Sequence, residues 1–400
     1  MQKFLTQKLD LNFFSKRFKT IAVFVFTILL SARTFAQNYT PNTFADPVFT
    51  SVNNANGAII LPAGNAGMIS LRSSLFAADV VGGTHIVTLG TGTYGLTQAL
   101  PNRQITIGNT PQNITINGNG PTNTIISNTL DANSDRILFI NPTGTTNSPV
   151  ITVNGIRFQN ALLSSDPYGG AAICAGGGSA ESLTINNCVF NNNIVPANSY
   201  GGGAVCMQVR GHLTIDNCTF TNNVSNDADG GAVLHIVFGS ALPGPGFGNL
   251  KVTNSTFNNN SVVFPGAPTS NGGALAFAGQ GGVTPFNVLI SRNTFTNNSA
   301  DGLGGAISAN NGANVTTSQI HYNRFVGNTS GVSALSSALH FVESSGSVNA
   351  ENNWWACNTN PVGAVSTAPC QQAGGDVPGL GSLDANPWTR LTTTPAADTI

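Results

Sequence analysis

Charged side chains are scarce in this chain: Lys, Arg, Asp and Glu make up 8% of its 400 residues, with 15 basic against 16 acidic side chains. A nucleic-acid-binding protein needs a basic stripe to meet the phosphates, so we expect no nucleic-acid partner. Since so few charges are available, Asn, Thr, Ser and Gly must cover the outside. The composition therefore predicts a nearly neutral surface that is rich in hydrogen-bonding groups.

Apolar runs long enough to span a membrane are also missing. The mostly apolar stretch from Thr20 to Leu30 has 11 residues, whereas a membrane-spanning helix needs about 20. Basic residues precede it and Ala36 ends a small-x-small cleavage site, so residues 1–36 are predicted to be a secretory signal peptide. An uncleaved anchor is the alternative. We expect no transmembrane segment in the mature chain. Cleavage would remove six basic residues and Asp10, so the formal charge of the mature chain is −6 instead of −1.

A helix-like period is absent between Pro101 and Asn353, where the sequence instead repeats itself. The segment Leu183–Asn193 returns 30 residues later as Leu213–Asn223, and both segments alternate with the period of a β-strand. A recurring unit of this length indicates one supersecondary element stacked on copies of itself. The aromatic residue of the repeat falls at Phe158, Phe190, Phe220, Phe257, Phe295, Phe325 and Trp355. From Phe190 onward, Asn follows three residues later, at Asn193, Asn223, Asn260, Asn298, Asn328 and Asn358.

Strands joined by short turns, one unit per ~30 residues, predict an all-β fold. It is a right-handed, single-stranded parallel β-helix, or solenoid, in which equivalent side chains of successive windings lie above one another. The aromatics are then expected to stack as an interior ladder, formed by Phe190, Phe220, Phe257, Phe295 and Phe325. An Asn ladder beside it would satisfy corner backbone groups that have no strand partner; its members are Asn193, Asn223, Asn260, Asn298 and Asn328.

A second phrase, Gly-Gly-Ala followed by an aliphatic residue, precedes most copies, as in Gly202–Val205 and Gly304–Ile307. Because glycine accepts positive φ, this phrase is predicted to mark a turn or a close backbone approach. Two windings are longer, with 37 and 38 residues between successive aromatics. Insertions are predicted from Phe238 to Gly248 and from Val262 to Asn271, and in a solenoid such insertions form loops on one face.

Six cysteines lie in a chain that we expect to be exported, so disulfides are allowed. Cys357 and Cys370 lie in or near a Pro/Gly-rich tail and are predicted to form a disulfide. The other four follow the repeat and are predicted to be inward-facing small hydrophobic residues, with coil-to-coil disulfides as the alternative. These four are Cys174, Cys188, Cys206 and Cys218.

Both ends of the chain depart from the repeat. Within Met68–Ala78, Leu71, Leu75 and Ala78 share a helical face behind the N-cap Ser70, so a short helix is predicted to cover the open end of the solenoid. All three tryptophans lie near the other end, which predicts a Trp-rich cap with Trp388 closing the stack. The predicted divisions are a signal peptide at 1–36, an N-terminal segment and cap at 37–84, a parallel β-helix at 85–358, a C-terminal cap loop at 359–391, and a linker or the start of a further domain at 392–400.

The two phrases recur in phase over roughly residues 150–358, and they resemble the repeats of the chlamydial polymorphic outer-membrane protein family. Ser70–Arg72 resembles an N-terminal cap motif of secreted bacterial β-helix proteins, and Asn353–Asn358 resembles their closing coil. The resemblance implies a parallel β-helix with an adhesive role, secreted or associated with the outer membrane of a Gram-negative-type bacterium.

Acidic residues are few and dispersed. Polysaccharide lyases and hydrolases with this fold need paired carboxylates, or a Ca²⁺ cluster with a basic residue. The densest acidic spot holds Asp227 and Asp229, with Asp216 shortly before it and His235 shortly after it, and a polar turn ahead of the glycines is the simpler interpretation. The five histidines show no metal-ligand spacing. We therefore expect neither a metal site nor a cofactor.

These patterns predict a non-catalytic, secreted or surface-exposed scaffold for adhesion or binding, with a glycan or a cell-surface protein as its partner. Fold alone does not decide function. The alternative is a polysaccharide-active enzyme, either a lyase or a glycoside hydrolase. Its candidate catalytic residues would be Asp216, Asp227 and Asp229, and Arg210 and Arg292 are candidate bases by analogy only.

Overall fold

The structure is a computed structural model. The signal peptide predicted at 1–36 lies outside the described residues except for Ala36. The described ranges are 36–49, 51–52, 58–60, 67–98, 103–108, 112–128, 135–140, 148–163, 168–176, 181–197, 199–208, 211–226, 229–237, 248–264, 270–279, 286–310, 315–332, 336–341, 346–357, 361–362, 373–375, 382–385 and 389.

Successive windings of the chain form a parallel β-helix, which confirms the predicted fold class. Four sheets with 11, 8, 5 and 9 strands run along it, and we number them sheets 1 to 4 in the order in which one winding visits them. Each strand pairs in parallel with the equivalent strand of the next winding. Phe190 pairs in register with Phe220, 30 residues on. The repeat length of the sequence is therefore the length of one winding.

Sheets 1 and 2 meet at the first corner of each winding. The strands of sheet 1 are Gln37–Tyr39, Gly83–Thr88, Gln112–Asn117, Val150–Asn154, Ser182–Asn186, His212–Asp216, Leu250–Thr253, Asn287–Ser291, Val315–His321, Gly346–Asn349 and Ser382–Asp384. The strands of sheet 2 are Gly92–Gly95, Thr124–Ser127, Arg157–Gln159, Val189–Asn191, Thr219–Thr221, Thr256–Asn258, Thr294–Thr296 and Arg324–Val326.

Sheets 3 and 4 complete the winding. The strands of sheet 3 are Ile194–Val195, Val224–Asn226, Ser261–Val263, Ser299–Ala300 and Thr329–Ser330. The strands of sheet 4 are Ile105–Ile107, Leu138–Ile140, Ile173–Ala175, Val205–Met207, Val233–Val237, Leu275–Gly279, Ile307–Asn310, Leu339–Phe341 and Ala373–Gly375.

The period-two pattern of the strands produces the core. In Ser182–Asn186, Leu183 and Ile185 are buried while the residues between them are half-buried. The same alternation in every winding builds one continuous apolar core from Tyr39 to Ala385. Since burial of each large side chain stabilises the fold by about 1.5–3 kcal/mol, this column of inward residues is the main source of stability.

The helix Leu71–Val81 packs at the N-terminal end against strands of sheets 1 and 4 and against the antiparallel pair Ser51–Val52 and Ile59–Ile60. Its N-cap is Ser70, whose hydroxyl accepts from the backbone N–H of Ser73, as predicted. The three residues expected to share a face are all buried. The helix begins at Leu71, directly after the predicted cap, and runs on to Val81.

At the C-terminal end the winding continues further than the repeat. Ala373–Gly375 and Ser382–Asp384, both within the predicted cap loop, pair with sheets 4 and 1. Trp355 stacks on Phe325 and ends the described aromatic column, whereas Trp388 lies outside the described residues. In the part of the chain that the structure describes, no helix combines the length and the apolar character that a bilayer crossing requires.

Candidate functional site

Aromatic rings form a continuous column inside the solenoid, behind sheet 2. Neighbouring rings stack almost in parallel, with centroids 4.7–5.2 Å apart and planes tilted by 2–14°. The spacing equals the strand separation because each ring comes from the equivalent position of one winding. The structure thus places the five predicted ladder phenylalanines together, between Phe158 and Trp355.

The predicted Asn residues form a buried column at the next corner, between sheets 2 and 3. Each Nδ2 donates to Oδ1 of the Asn one winding further on, at 2.9–3.0 Å. It also donates to the carbonyl of the ladder aromatic one winding back, at 3.0–3.3 Å. Each accepting Oδ1 additionally takes the backbone N–H of the preceding Asn. The column therefore satisfies corner groups that the strands leave unpaired.

A second polar column lies two residues before each aromatic, and the sequence patterns above did not reveal it. The backbone N–H of each member donates to the side chain of the next, at 2.7–3.4 Å. Its members are Cys188, Cys218, Ser255, Asn293, Asn323 and Asn353. The residue type changes along the column, but each side chain is small and has an acceptor atom. A search of the sequence for that shared property, two residues before each aromatic, could have revealed the column.

The first corner, between sheets 1 and 2, holds its residues in the left-handed conformation. Asn187, Asn217 and Asn254 have φ of 50–53°, and Asn tolerates this region well because its side chain bonds locally. In the next two windings the same position is occupied by Arg292 and Tyr322, with φ of 60° and 57°. For side chains of this size such backbone is uncommon, so this stretch of the corner differs from the rest.

The Gly-Gly-Ala phrases lie at the corner that leads into sheet 4. Gly202 and its equivalents have φ of 67–75°. At the following glycine a Cβ atom would lie within 2.3 Å of a carbonyl oxygen of the next winding, as at Gly203 and Gly305. The phrase therefore marks both the turn and the close approach that the sequence predicted.

The four repeat cysteines are free and buried. Cys188 and Cys218 belong to the interior column, and burial raises the pKa of the Cys218 thiol. Cys174 and Cys206 pair in register but face away from the core, in a separate apolar cluster on the outer side of sheet 4. The prediction that these two face inward is wrong because they alternate with core residues. Cys357 is disulfide-bonded; its predicted partner Cys370 lies outside the described residues, so the pairing stays a prediction.

The structure separates the acidic residues proposed for catalysis. Asp216 lies at the first corner, where it accepts from Thr253 Oγ1 at 2.6 Å and Asn254 Nδ2 at 2.7 Å. The hydrogen bond from Thr253, supported by Asn254, lowers the pKa of Asp216. Asp229 lies at the corner before sheet 4 and accepts from the backbone N–H of Asn271 at 2.7 Å. Asp227 lies outside the described residues.

Two buried titratable groups lie close to the passage from sheet 4 to sheet 1: Glu181 directly precedes the sheet 1 strand Ser182–Asn186, and His235 lies within the sheet 4 strand Val233–Val237. Burial, with the nearby Cys174, raises the pKa of Glu181 to about 8, and both carboxyl oxygens lack a hydrogen-bond partner among the described residues. Burial lowers the pKa of His235 to about 4, although its Nε2–H donates to the Gly211 carbonyl at 3.1 Å. Both groups are closed off from solvent. No cluster of metal-ligating side chains exists within the described part of the chain.

The predicted insertions both adjoin sheet 4. Residues 238–247 follow its strand Val233–Val237, and residues 265–269 precede its strand Leu275–Gly279; both stretches lie outside the described residues. The outer side of this sheet carries the buried apolar cluster.

The exposed side of the first corner changes character towards the C-terminus. In the central windings its outward positions hold small polar residues, such as Asp216 and Thr253, which pair in register. In the last windings the same positions hold larger side chains, which we call the C-terminal corner patch. Its members are Arg292, His321, Tyr322, Arg324, Glu351 and Trp354. Sequence reasoning missed this patch because only the register brings its residues together.

Part of the chain matches the model of a known protein family. Residues 294–310 match the Chlamydia polymorphic membrane protein (Chlamydia_PMP) repeat. This stretch contains Phe295 and Asn298 of the two ladders, and Gly304–Ile307 of the glycine phrase. No curated protein and no solved structure is significantly similar to the chain. This match and the stacked parallel windings together fit a β-helix of the polymorphic membrane protein type.

Proposed function

We propose that this protein is a non-catalytic, surface-exposed scaffold of a bacterium, which binds a glycan or a cell-surface partner in adhesion. The matched repeat takes its name from membrane proteins of Chlamydia, and that name favours a surface location here. The observation that carries the proposal is the rigid ladder architecture, which holds the outward positions of successive windings at fixed spacing. Such a rod presents a long, repetitive surface to a partner.

The use of the carboxylates supports a non-catalytic role. Asp46 pairs with Arg72, Asp79 accepts from the backbone of Gly108, and Asp301 accepts from the backbone of Phe264. Asp216 and Asp229 are held in the same way at different corners. A retaining or inverting glycosidase instead brings two carboxyl groups to within about 10 Å of each other across an open cleft. These acids act as local structural acceptors.

A product assay tests the non-catalytic part of the proposal. The purified protein is incubated with acidic and neutral polysaccharides, and reducing ends and unsaturated ends are measured. We expect neither to increase. New ends that disappear in an Asp216→Asn or an Asp227→Asn/Asp229→Asn variant would establish the enzyme instead.

Two further measurements test the location and the binding. N-terminal sequencing of the protein from its native host is expected to begin at Gln37, which is the first residue of the first strand of sheet 1. Fluorescently labelled protein is expected to bind intact cells or extracted surface glycans in a saturable manner. An uncleaved N-terminus with the protein retained inside the cell, or no saturable binding to either target, would contradict the proposal.

A further inference from the structure

We propose that the C-terminal corner patch binds an anionic glycan that contains uronic acid residues. The inference rests on the proposed binding function and assigns it a site and a ligand class. The patch is a grid of outward positions from three successive windings. Ser291 pairs in register with His321, and Thr294 with Arg324, while an isolated bridge joins Arg324 to Trp354. Glu351 lies in the third of these windings, three residues before Trp354.

Aromatic surface is the first feature of the patch that suits a sugar. Tyr322 is 55% exposed, and its ring packs at a tilted angle against the imidazole of His321, with the ring centroids 4.8 Å apart. The guanidinium of Arg324 lies 4.9 Å from the ring centre of Trp354, which holds the charge above the indole face. Pyranose rings present apolar C–H faces that pack on aromatic rings, while the hydroxyls at their rims need polar partners. Aromatic and polar groups therefore alternate here as such a ligand requires.

Spacing is the second feature. Successive windings are separated by about 4.8 Å, so the three windings of the patch extend over about 10 Å. One winding step is close to the length of a single pyranose ring. The patch therefore offers places for about two consecutive sugar residues of a chain lying along the solenoid axis.

Charge is the third feature, and it selects an acidic sugar. Only nine Lys and Arg residues follow position 36, and two of them, Arg292 and Arg324, are exposed in neighbouring windings of this patch. Neither forms an ion pair with another described residue. Arg recognises a carboxylate through two parallel hydrogen bonds. In an otherwise acidic chain, two guanidinium groups without an ion pair among the described residues, beside the exposed ring of Tyr322, fit the carboxylate of a uronic acid.

Arg292 and Tyr322 lie at corner positions where the backbone is in the left-handed region, with φ of 60° and 57°. Arg292 and Tyr322 replace the Asn that occupies the same left-handed corner position at Asn187, Asn217 and Asn254. Asn adopts this conformation at lower cost than Arg or Tyr. Stability of the corner therefore does not account for these two large side chains, whereas contact with a ligand does.

The corner column itself provides the variants for a test. Tyr322→Asn and Arg292→Asn each restore the residue found at this position in other windings, so both are expected to keep the fold. Lys251→Gln is the matched control because it removes an exposed positive charge on sheet 1, outside the patch. Tyr322→Phe retains the ring and removes only the hydroxyl.

The experiment is isothermal titration calorimetry of the full protein with galacturonic acid oligomers and with their methyl esters, which keep the ring but lose the charge. We expect the acid to bind more tightly than the ester. Arg292→Asn should weaken binding of the acid by about tenfold and bring it close to the ester, since one charge-assisted contact is lost. Tyr322→Asn should weaken both ligands, while Lys251→Gln and Tyr322→Phe should leave them close to wild type.

Three results would overturn the inference: no binding of either oligomer, equal binding of acid and ester, or patch variants that bind as the wild type does. These results are separable from failure of the proposed function. If labelled wild-type protein and the patch variants bind cell surfaces equally, the scaffold binds its partner elsewhere and only the patch assignment fails. Loss of cell binding after protease treatment, but not after glycan removal, would identify a protein partner instead.

Discussion

The N-terminal end and the central windings are stabilised by different chemistry. Near the N-terminus, Arg72 forms two hydrogen bonds of 2.7 Å with Asp46 and also donates to the carbonyls of Arg103 and Gln104. The fully buried Arg136 donates to the carbonyls of Gly169 and Gly170. From Phe158 onward the columns are built from neutral side chains.

The difference follows from repetition. In the regular windings the next copy supplies an identical partner at the strand spacing, so a short amide satisfies each buried group. At the irregular end the neighbouring windings differ in sequence, so no identical side chain lies at the equivalent position, and loop carbonyls such as those of Arg103 and Gln104 need donors. A long side chain with several donors meets that need, and its charge in turn requires a buried partner such as Asp46. A regular solenoid therefore needs few buried charges, whereas its end needs them.

The largest effect should come from the aromatic column. Phe220→Ala removes one ring from a stack that is buried on both sides, so we expect a loss of about 3–5 kcal/mol in the free energy of unfolding. Urea denaturation monitored by circular dichroism measures it. Phe220→Leu, which keeps most of the volume, should cost clearly less, and an unchanged midpoint for the Ala variant would place the column outside the stabilising core.

Breaking the buried ion pair should have a similar effect, but only at the N-terminal end. Arg72→Met leaves the Asp46 carboxylate buried without its partner, which costs about 3–5 kcal/mol. Hydrogen exchange should show faster exchange in the cap helix and the first windings, and unchanged rates near Phe295. The double variant Asp46→Leu/Arg72→Met should recover much of the loss. If the single variant exchanges faster along the whole rod, the two regions are not separate in stability.

Glu181 is the exception among the central windings, because it is an acid without a partner among the described residues. Its pKa is raised to about 8 in the folded protein, so the folded state retains the proton that the unfolded chain loses. Stability is then highest below the ordinary carboxyl pKa and falls as pH rises through about 8, by on the order of 5 kcal/mol in total. Melting temperatures measured from about pH 6.5 to about pH 9 should show the upper part of this decline, and Glu181→Gln should remove it.

His235 gives the opposite dependence. Because burial lowers its pKa to about 4, its contribution to stability is complete above the ordinary histidine pKa and is lost as pH falls through about 4. Because the loss from His235 begins below the ordinary histidine pKa of about 6.5, the pH series is best kept above about pH 6.5 when Glu181 is measured. A melting temperature that rises steadily from about pH 6.5 to about pH 9 would contradict the assignment of Glu181 as a neutral buried acid.

Removal of one amide should cost less than these changes. Asn223→Ala deprives Asn193 of the acceptor for its backbone N–H and its Nδ2, and deprives the Phe190 carbonyl of a donor. We expect a loss of about 1–3 kcal/mol from the unsatisfied buried groups. Asn223→Ser keeps a short acceptor but loses the amide donor. Urea denaturation of the Ala and Ser variants therefore separates the contributions of the acceptor and the donor to the free energy of unfolding. Equal losses for both variants would show that the acceptor half of each amide contributes little.

Much of the regular region could be predicted from the sequence because the same residue types recur there. Phe and Asn recur at fixed positions, so period and register followed directly. The pair of Arg72 and Asp46 could not be predicted, because nothing in the sequence links residues 26 positions apart in a unique end. The outward orientation of Cys174 was missed since a single cysteine in an apolar strand does not reveal which face it occupies. The C-terminal corner patch was missed for a related reason: its members differ in type, and only the pairing of three windings assembles them.

The smallest effect tests whether the second polar column is a ladder in the same sense as the first. Cys218 accepts the backbone N–H of Cys188 at 3.4 Å, and its thiol lies 3.6 Å from the Ile185 carbonyl. At the equivalent place in a later winding, Asn293 donates Nδ2 to the Val252 carbonyl at 2.9 Å. Cys218→Asn should therefore find both partners in place and change stability by less than about 1 kcal/mol, in either direction. Cys218→Ala, which lacks any acceptor, should be the less stable of the two. If the Asn variant is the less stable one, the thiol windings are packed differently from the amide windings, and the column is continuous in position but not in chemistry.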